Sequence, residues 1–244
     1  MEIPQEAKSV EISRRDLLIG VAGSLGGLVL GNNYGPAGAT ELSQSLAPII
    51  YSGNKNQKAV AFTFDDGPWL RNTKKIMNTF QEFGLEGQAT FFQVGNNIKQ
   101  YKGISEEAAE RGYDIGNHSM THQYNPRIIA NEIEPMQELI QNLGVENRLF
   151  RSPGLTRGKA IQRKLAGLGM VNVFTDYDIG DWRLPRILPN TITRRTVRSL
   201  HGGSIVLLHD GGDHENTVAA MPRILEKTLN KGYKVVRLSD LLNN

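Results

Sequence analysis

The chain has 244 residues, 39% of them hydrophobic and 22% charged, which fits a globular domain with an ample core and excludes a fibrous or disordered chain. A net charge of +3 is too mild to point to nucleic acid, although a weakly basic surface suits approach to anionic wall polymers. There is no cysteine, so disulfides, thiolate metal sites, a cysteine nucleophile and a lipoprotein anchor are all excluded.

Residues 1–39 read as an export signal and not as part of the fold. Arg14 and Arg15 precede an apolar, Gly-rich run that ends at Leu30, a pattern similar to a twin-arginine signal. Ala37-Gly38-Ala39 then supplies the small-x-small pattern of a signal peptidase site. The run is about 14 residues against the ~20 that cross a bilayer, so no stable membrane span is expected after cleavage, the alternative being an uncleaved amphipathic or membrane-anchoring helix. The expected location is therefore outside the cytoplasm: periplasmic, wall-associated or secreted. Residues 40–57, polar and containing Gly, Asn and Ser, read as a linker to a folded domain over 58–244.

From there apolar β-rich runs alternate with helical patterns. Residues 59–64 read as a buried strand, and 73–83 as a helix with Ile76, Met77 and Phe80 on one face. A strand over 89–94, a helix over 104–111 and a short strand over 112–116 follow. Residues 128–143 carry a long apolar stripe through Ile129, Ile133, Met136 and Ile140, which predicts an amphipathic helix. The remaining strands are expected at 148–151, 171–175, 205–208 and 233–236, with helices over 159–168, 191–200 and 217–229. Repeated strand–helix units in a chain of this length predict an α/β fold with a largely parallel, barrel-like sheet.

The polar motifs fall at or just beyond the carboxyl ends of these strands, where βα folds build their sites. Asp65 and Asp66 close the first strand, and Gly67-Pro68 makes a sharp exit from it. His118 and His122 stand four apart. Two imidazoles and one carboxylate leave coordination positions open on a divalent ion, as a catalytic site requires, and a second carboxylate is spare. By themselves the two aspartates equally allow joint metal binding or capping of the next helix. Arg151, Asp178, Asp181 and His209 sit at later strand ends.

The ordered set Thr63-Phe64-Asp65-Asp66-Gly67-Pro68, His118-Ser119-Met120-Thr121-His122, Arg151-Ser152-Pro153-Gly154, Asp178-Ile179-Gly180-Asp181-Trp182 and Leu207-Leu208-His209-Asp210 resembles the polysaccharide deacetylases, the carbohydrate esterases of the NodB-homology type. The resemblance runs from about Lys58 to Leu242. It implies a distorted (β/α) barrel of about seven parallel strands, in which Asp66, His118 and His122 bind a divalent metal, most often zinc, with cobalt, nickel or manganese also compatible with the donor set.

It further implies that Asp65 is the general base and that Arg151 pairs with it. His209 is the general acid, oriented by Asp178, while Asp181 pairs with Arg151. Trp182 and Leu207 wall the acetyl group, and the Gly154 amide contacts the oxyanion. Where the family often has an aromatic after the proline, Gly154-Leu155 stand here. His201, His214 and Asp210 match no assigned role. The activity implied is metal-dependent removal of N-acetyl groups from an amino-sugar polymer such as peptidoglycan or chitin, with acetate as product. An O-acetyl esterase on acetylated xylan, another amide or imide hydrolase, and a non-catalytic glycan-binding protein are the alternatives. Nothing in the sequence sets an oligomeric state.

Overall fold

The structure, a computed structural model, describes residues 46–183 and 187–243. The twin-arginine segment, the proposed cleavage site and the first six residues of the linker, 40–45, lie outside the described residues. The strands are β1 (Ile49–Ile50), β2 (Ala59–Gly67), β3 (Thr90–Gln93), β4 (Asp114–Asn117), β5 (Leu149–Phe150), β6 (Val171–Val173), β7 (Ser204–His209) and β8 (Lys234–Val235). The helices are α1 (Asn72–Glu82), α2 (Gly95–Gln100), α3 (Lys102–Glu110), α4 (Pro126–Gln141), α5 (Lys159–Gly167), α6 (Pro189–Ser199), α7 (Glu215–Asn230) and α8 (Leu238–Asn243). Among the described residues no helix is long and apolar enough to cross a membrane.

The sheet runs β1-β6-β5-β4-β3-β2-β7, with β8 paired to the start of β2, and every ladder is parallel. An isolated bridge between Ser52 and Ser204, supported by a 2.8 Å bond from the Gly53 amide to the Gly203 carbonyl, brings the β1 edge to the β7 edge. The result is the expected distorted barrel, with one difference in its makeup. The strand expected at 233–236 is only the short β8 beside the main path, while β1 completes the path from within the segment read as linker. At 2 residues, β1 is too short to show any period.

Strand parity decides which residues reach the site. On β2, Val60, Phe62 and Phe64 face outward into a core with Ile76, Met77 and Phe80 of α1, each fully buried. Burying such side chains stabilises the fold by about 1.5–3 kcal/mol each. Ala61 faces the barrel interior with Phe92, Val173 and Ile205. Thr63 and Asp65 share that inward parity. So do Leu207 and His209 on β7, which lies in register with β2 such that Asp65 pairs with His209. Two acid–base candidates from residues far apart in sequence thereby become sheet neighbours.

Candidate active site

Asp66, next to last in β2, takes a left-handed conformation, φ 72°, that turns its carboxylate away from the barrel interior entered by Asp65. His118 follows β4 directly. Its Nδ1 lies 2.7 Å from the Arg151 carbonyl. A carbonyl only accepts, so Nδ1 carries the proton and Nε2 is left as a bare donor for a cation. A tight loop then brings His122 back. Asn117 accepts from the Ser119 amide at 3.0 Å and the Ser119 hydroxyl from the His122 amide at 3.2 Å. Both Ser119 and His122 have positive φ, 64° and 55°. Glu132 of α4 accepts from the amides of Met120 and Thr121 at 3.1 and 3.0 Å and from the Thr121 hydroxyl. Asn97 holds the Asp66 carbonyl at 2.8 Å.

The Nε2 atoms of His118 and His122 stand 3.3 and 3.0 Å from Asp66 Oδ1, and the three ligand atoms all lie within 4.8 Å of one another. Asp66 Oδ1 is buried without a well-aligned hydrogen bond. Burial works to neutralise this carboxyl, but the two imidazoles outweigh it and hold Asp66 well below the usual carboxylate range. A buried carboxylate oxygen facing two imidazole Nε2 atoms is a donor set that fits a divalent cation.

Asp65 is committed elsewhere. Arg151, fully buried, donates from Nη1 to Asp65 Oδ1 at 2.7 Å and to the Thr63 hydroxyl at 2.7 Å. Its Nε bonds the Val173 carbonyl at 3.0 Å, and its guanidinium lies 4.2 Å from the centre of the Phe92 ring. The other oxygen, Oδ2, is 3.8 Å from His118 Nε2 and so faces the metal ligands. Neighbouring aspartates thus occupy different environments, one among imidazoles and one against a guanidinium.

On the opposite wall His209 Nδ1 pairs with Asp181 Oδ1 at 2.8 Å. Asp181 Oδ2 accepts from the His209 amide and the Thr217 hydroxyl, both at 2.8 Å. Burial lowers the His209 pKa, but Asp181 outweighs it, with smaller help from Asp66 and Asp65, and raises it to about 9. Asp181 is buried, yet the His209 charge and the bonds from His209 and Thr217 hold its carboxyl below the usual range.

This arrangement corrects the expected pairing of the two aspartates. Asp178 does not touch His209, and Asp181 does not pair with Arg151. Asp178 folds back on its own turn, accepting from the Gly180 amide at 2.8 Å and from the Trp182 indole at 3.2 Å. Gly180, at φ 73°, reverses the chain between them, so Asp178 stays at the surface and Asp181 goes inside.

Trp182 is half-exposed at the rim with the Arg183 guanidinium 4.8 Å from its ring centre. Leu207 is buried on the inward side of β7. Gly154 lies in a short turn after β5, and the ring of Tyr124 covers the position its Cβ would take.

Two residues left without a role by the sequence belong to the site's frame. His214 stacks on His209 at 5.2 Å and 18°. Asp210 is fully buried, accepts from the Thr73 hydroxyl at 2.5 Å, and is raised to about 7 by burial against the opposing effect of that bond. A hollow of about 380 Å³ lined by Asp66, His122, Asn97 and His214 opens beside the ligands.

Comparison with known proteins agrees with this geometry. A family model described as polysaccharide deacetylase matches residues 52–173. A peptidoglycan-N-acetylglucosamine deacetylase from Bacillus cereus is 32% identical, over 80% of this chain and 92% of its own. The crystal structure of the Bc1960 peptidoglycan N-acetylglucosamine deacetylase superposes with a TM-score of 0.75 at 27% identity, over 81% of this chain and 94% of that one. A mutant of BA3943, described as a pseudoenzyme of the CE4 family with restored activity, superposes with a TM-score of 0.72 at 25% identity, over 80% and 71%.

Proposed function

The chain belongs to the polysaccharide deacetylase family, and from that premise we propose that it removes N-acetyl groups from the N-acetylglucosamine residues of peptidoglycan, releasing acetate. The observation that carries this reading is the division of the adjacent aspartates. Asp66 converges with two imidazoles, whereas Asp65 is held by Arg151 with Oδ2 directed toward them. A pseudoenzyme shares this fold, so the fold alone does not decide between catalysis and glycan binding. The full complement of base, ligands and acid favours catalysis.

Asp66, His118 and His122 would hold a divalent ion, which when bound would supply Lewis acidity to polarise the acetyl carbonyl and acidify an attacking water. Asp65 accepts the proton of that water at Oδ2, because Oδ1 is tied to Arg151. The protonated His209, kept charged by Asp181, donates to the departing nitrogen, which otherwise leaves poorly. The Gly154 amide offers a hydrogen bond to the developing oxyanion, and Trp182 and Leu207 bound the acetyl group. Asp178 serves by anchoring the Trp182 indole.

Zinc is the proposed ion, one of the cations that two imidazoles and one carboxylate accept, and residues 1–39 are proposed to act as a twin-arginine signal that delivers the loaded, folded domain to the wall. The test is Asp65→Asn. Metal content measured on the purified protein stays at the wild-type level while acetate release falls by about 10² to 10⁴-fold. Near-wild-type turnover would refute the assignment.

A further inference from the structure

Tyr124 lies two residues beyond His122, between β4 and α4, and is 64% exposed. Exposure alone carries little meaning for an amphipathic side chain, but the placement of this ring does. It stands edge-on to the His122 imidazole, with centroids 5.3 Å apart and planes at 82°. Its opposite flank lies over Gly154, where an added Cβ would fall 2.8 Å from Tyr124 Cε1. Gly154 sits at φ 58°, a conformation that already disfavours a side chain. The ring therefore fills the gap between a metal ligand and the turn that presents the Gly154 amide.

Tyr124 packs into none of the hydrophobic clusters of the described core, and its hydroxyl has no hydrogen-bond partner among the described residues. Its backbone is fixed all the same. The metal loop holds it on one side, and on the other Asn125 caps α4 by accepting from the Arg127 amide at 3.0 Å. The segment after β6 carries further exposed aromatics, Tyr177 and Trp182, and β5 with its Gly154 turn lies between β4 and β6 in the sheet. A pyranose ring offers C–H faces to an aromatic plane and hydroxyls to a phenol, a match for a side chain with an apolar body and a polar tip.

We propose that Tyr124 is a substrate-binding residue, a preset platform for a sugar ring of the glycan chain beside the reacting acetamido group. The proposal rests on the deacetylase reading above, and its test separates the two. The probe is the N-acetylglucosamine pentamer, used in steady-state acetate release and in calorimetric titration of metal-stripped protein. Tyr124→Ala raises KM and weakens pentamer binding, each roughly three- to tenfold, with kcat within about twofold. Tyr124→Phe keeps most of the binding. Unchanged binding and KM in Tyr124→Ala overturn the proposal. So does a fall in kcat with binding unchanged, which would make Tyr124 a brace for His122. If wild-type protein releases no acetate, the deacetylase reading fails, and the titration still decides the role of Tyr124.

Discussion

Replacing Asp181 with Asn removes the negative charge from His209 while leaving an amide of the same shape to meet the His209 backbone and Thr217. In the native site Asp181 is the largest influence raising the His209 pKa from 6.5 to about 9. The acid form is therefore present at neutral pH and is lost as pH rises through the upper value. Returning the imidazole to its ordinary range is a shift of about 2.5 pH units, on the order of 3 kcal/mol in favour of the neutral ring. At about pH 8 the protonated fraction falls from roughly nine-tenths to roughly 3%, so turnover by Asp181→Asn drops about 30-fold. At about pH 6 the two proteins differ by less than about twofold. The assay is the pH profile of kcat for acetate release, whose alkaline limb moves down by about 2.5 units in the variant (~3 kcal/mol). A variant whose limb stays where the wild type has it refutes the assignment of Asp181 as the partner of the acid. Asp178→Asn leaves the limb in place, because among the described residues Asp178 bonds the Gly180 amide and the Trp182 indole and pairs with Arg183, and does not meet His209.

Arg151→Ala leaves the buried Asp65 carboxylate uncompensated and costs about 3–5 kcal/mol in urea unfolding; a loss under about 1 kcal/mol contradicts the pairing described here. Glu132→Ala frees the amides of Met120 and Thr121 that shape the His122 loop, so zinc affinity measured against a competing chelator falls about 10- to 100-fold. Unchanged affinity means the loop holds itself.

The barrel was legible because long apolar runs such as 59–64 and the stripe of α4 announce their period. What escaped was short or relational. The 2-residue β1 has no period, and α2 begins at a glycine with Ile98 as its one buried apolar side chain. The motifs placed Asp65, Asp66, His118, His122, Arg151 and His209 at strand ends, and the structure brings all six together. Which of Asp178 and Asp181 meets His209 depends on the chain reversal at Gly180, and both spacings look alike in one dimension. Glu132 and Thr217 were missed because their partners lie 11 and 36 residues away, on other elements. Tyr124 gave no signal beyond standing close to His122, since its position over Gly154 exists only in the folded chain.

The measurement that bears most directly on the central claim is acetate release compared on peptidoglycan, N-acetylglucosamine oligomers and acetylated xylan, each with and without a chelator. The division of labour between Asp65 and the Asp66–His118–His122 triad predicts release from the two N-acetylated substrates, abolished by the chelator and restored by zinc. Release that is indifferent to the chelator, or confined to the xylan ester, contradicts it.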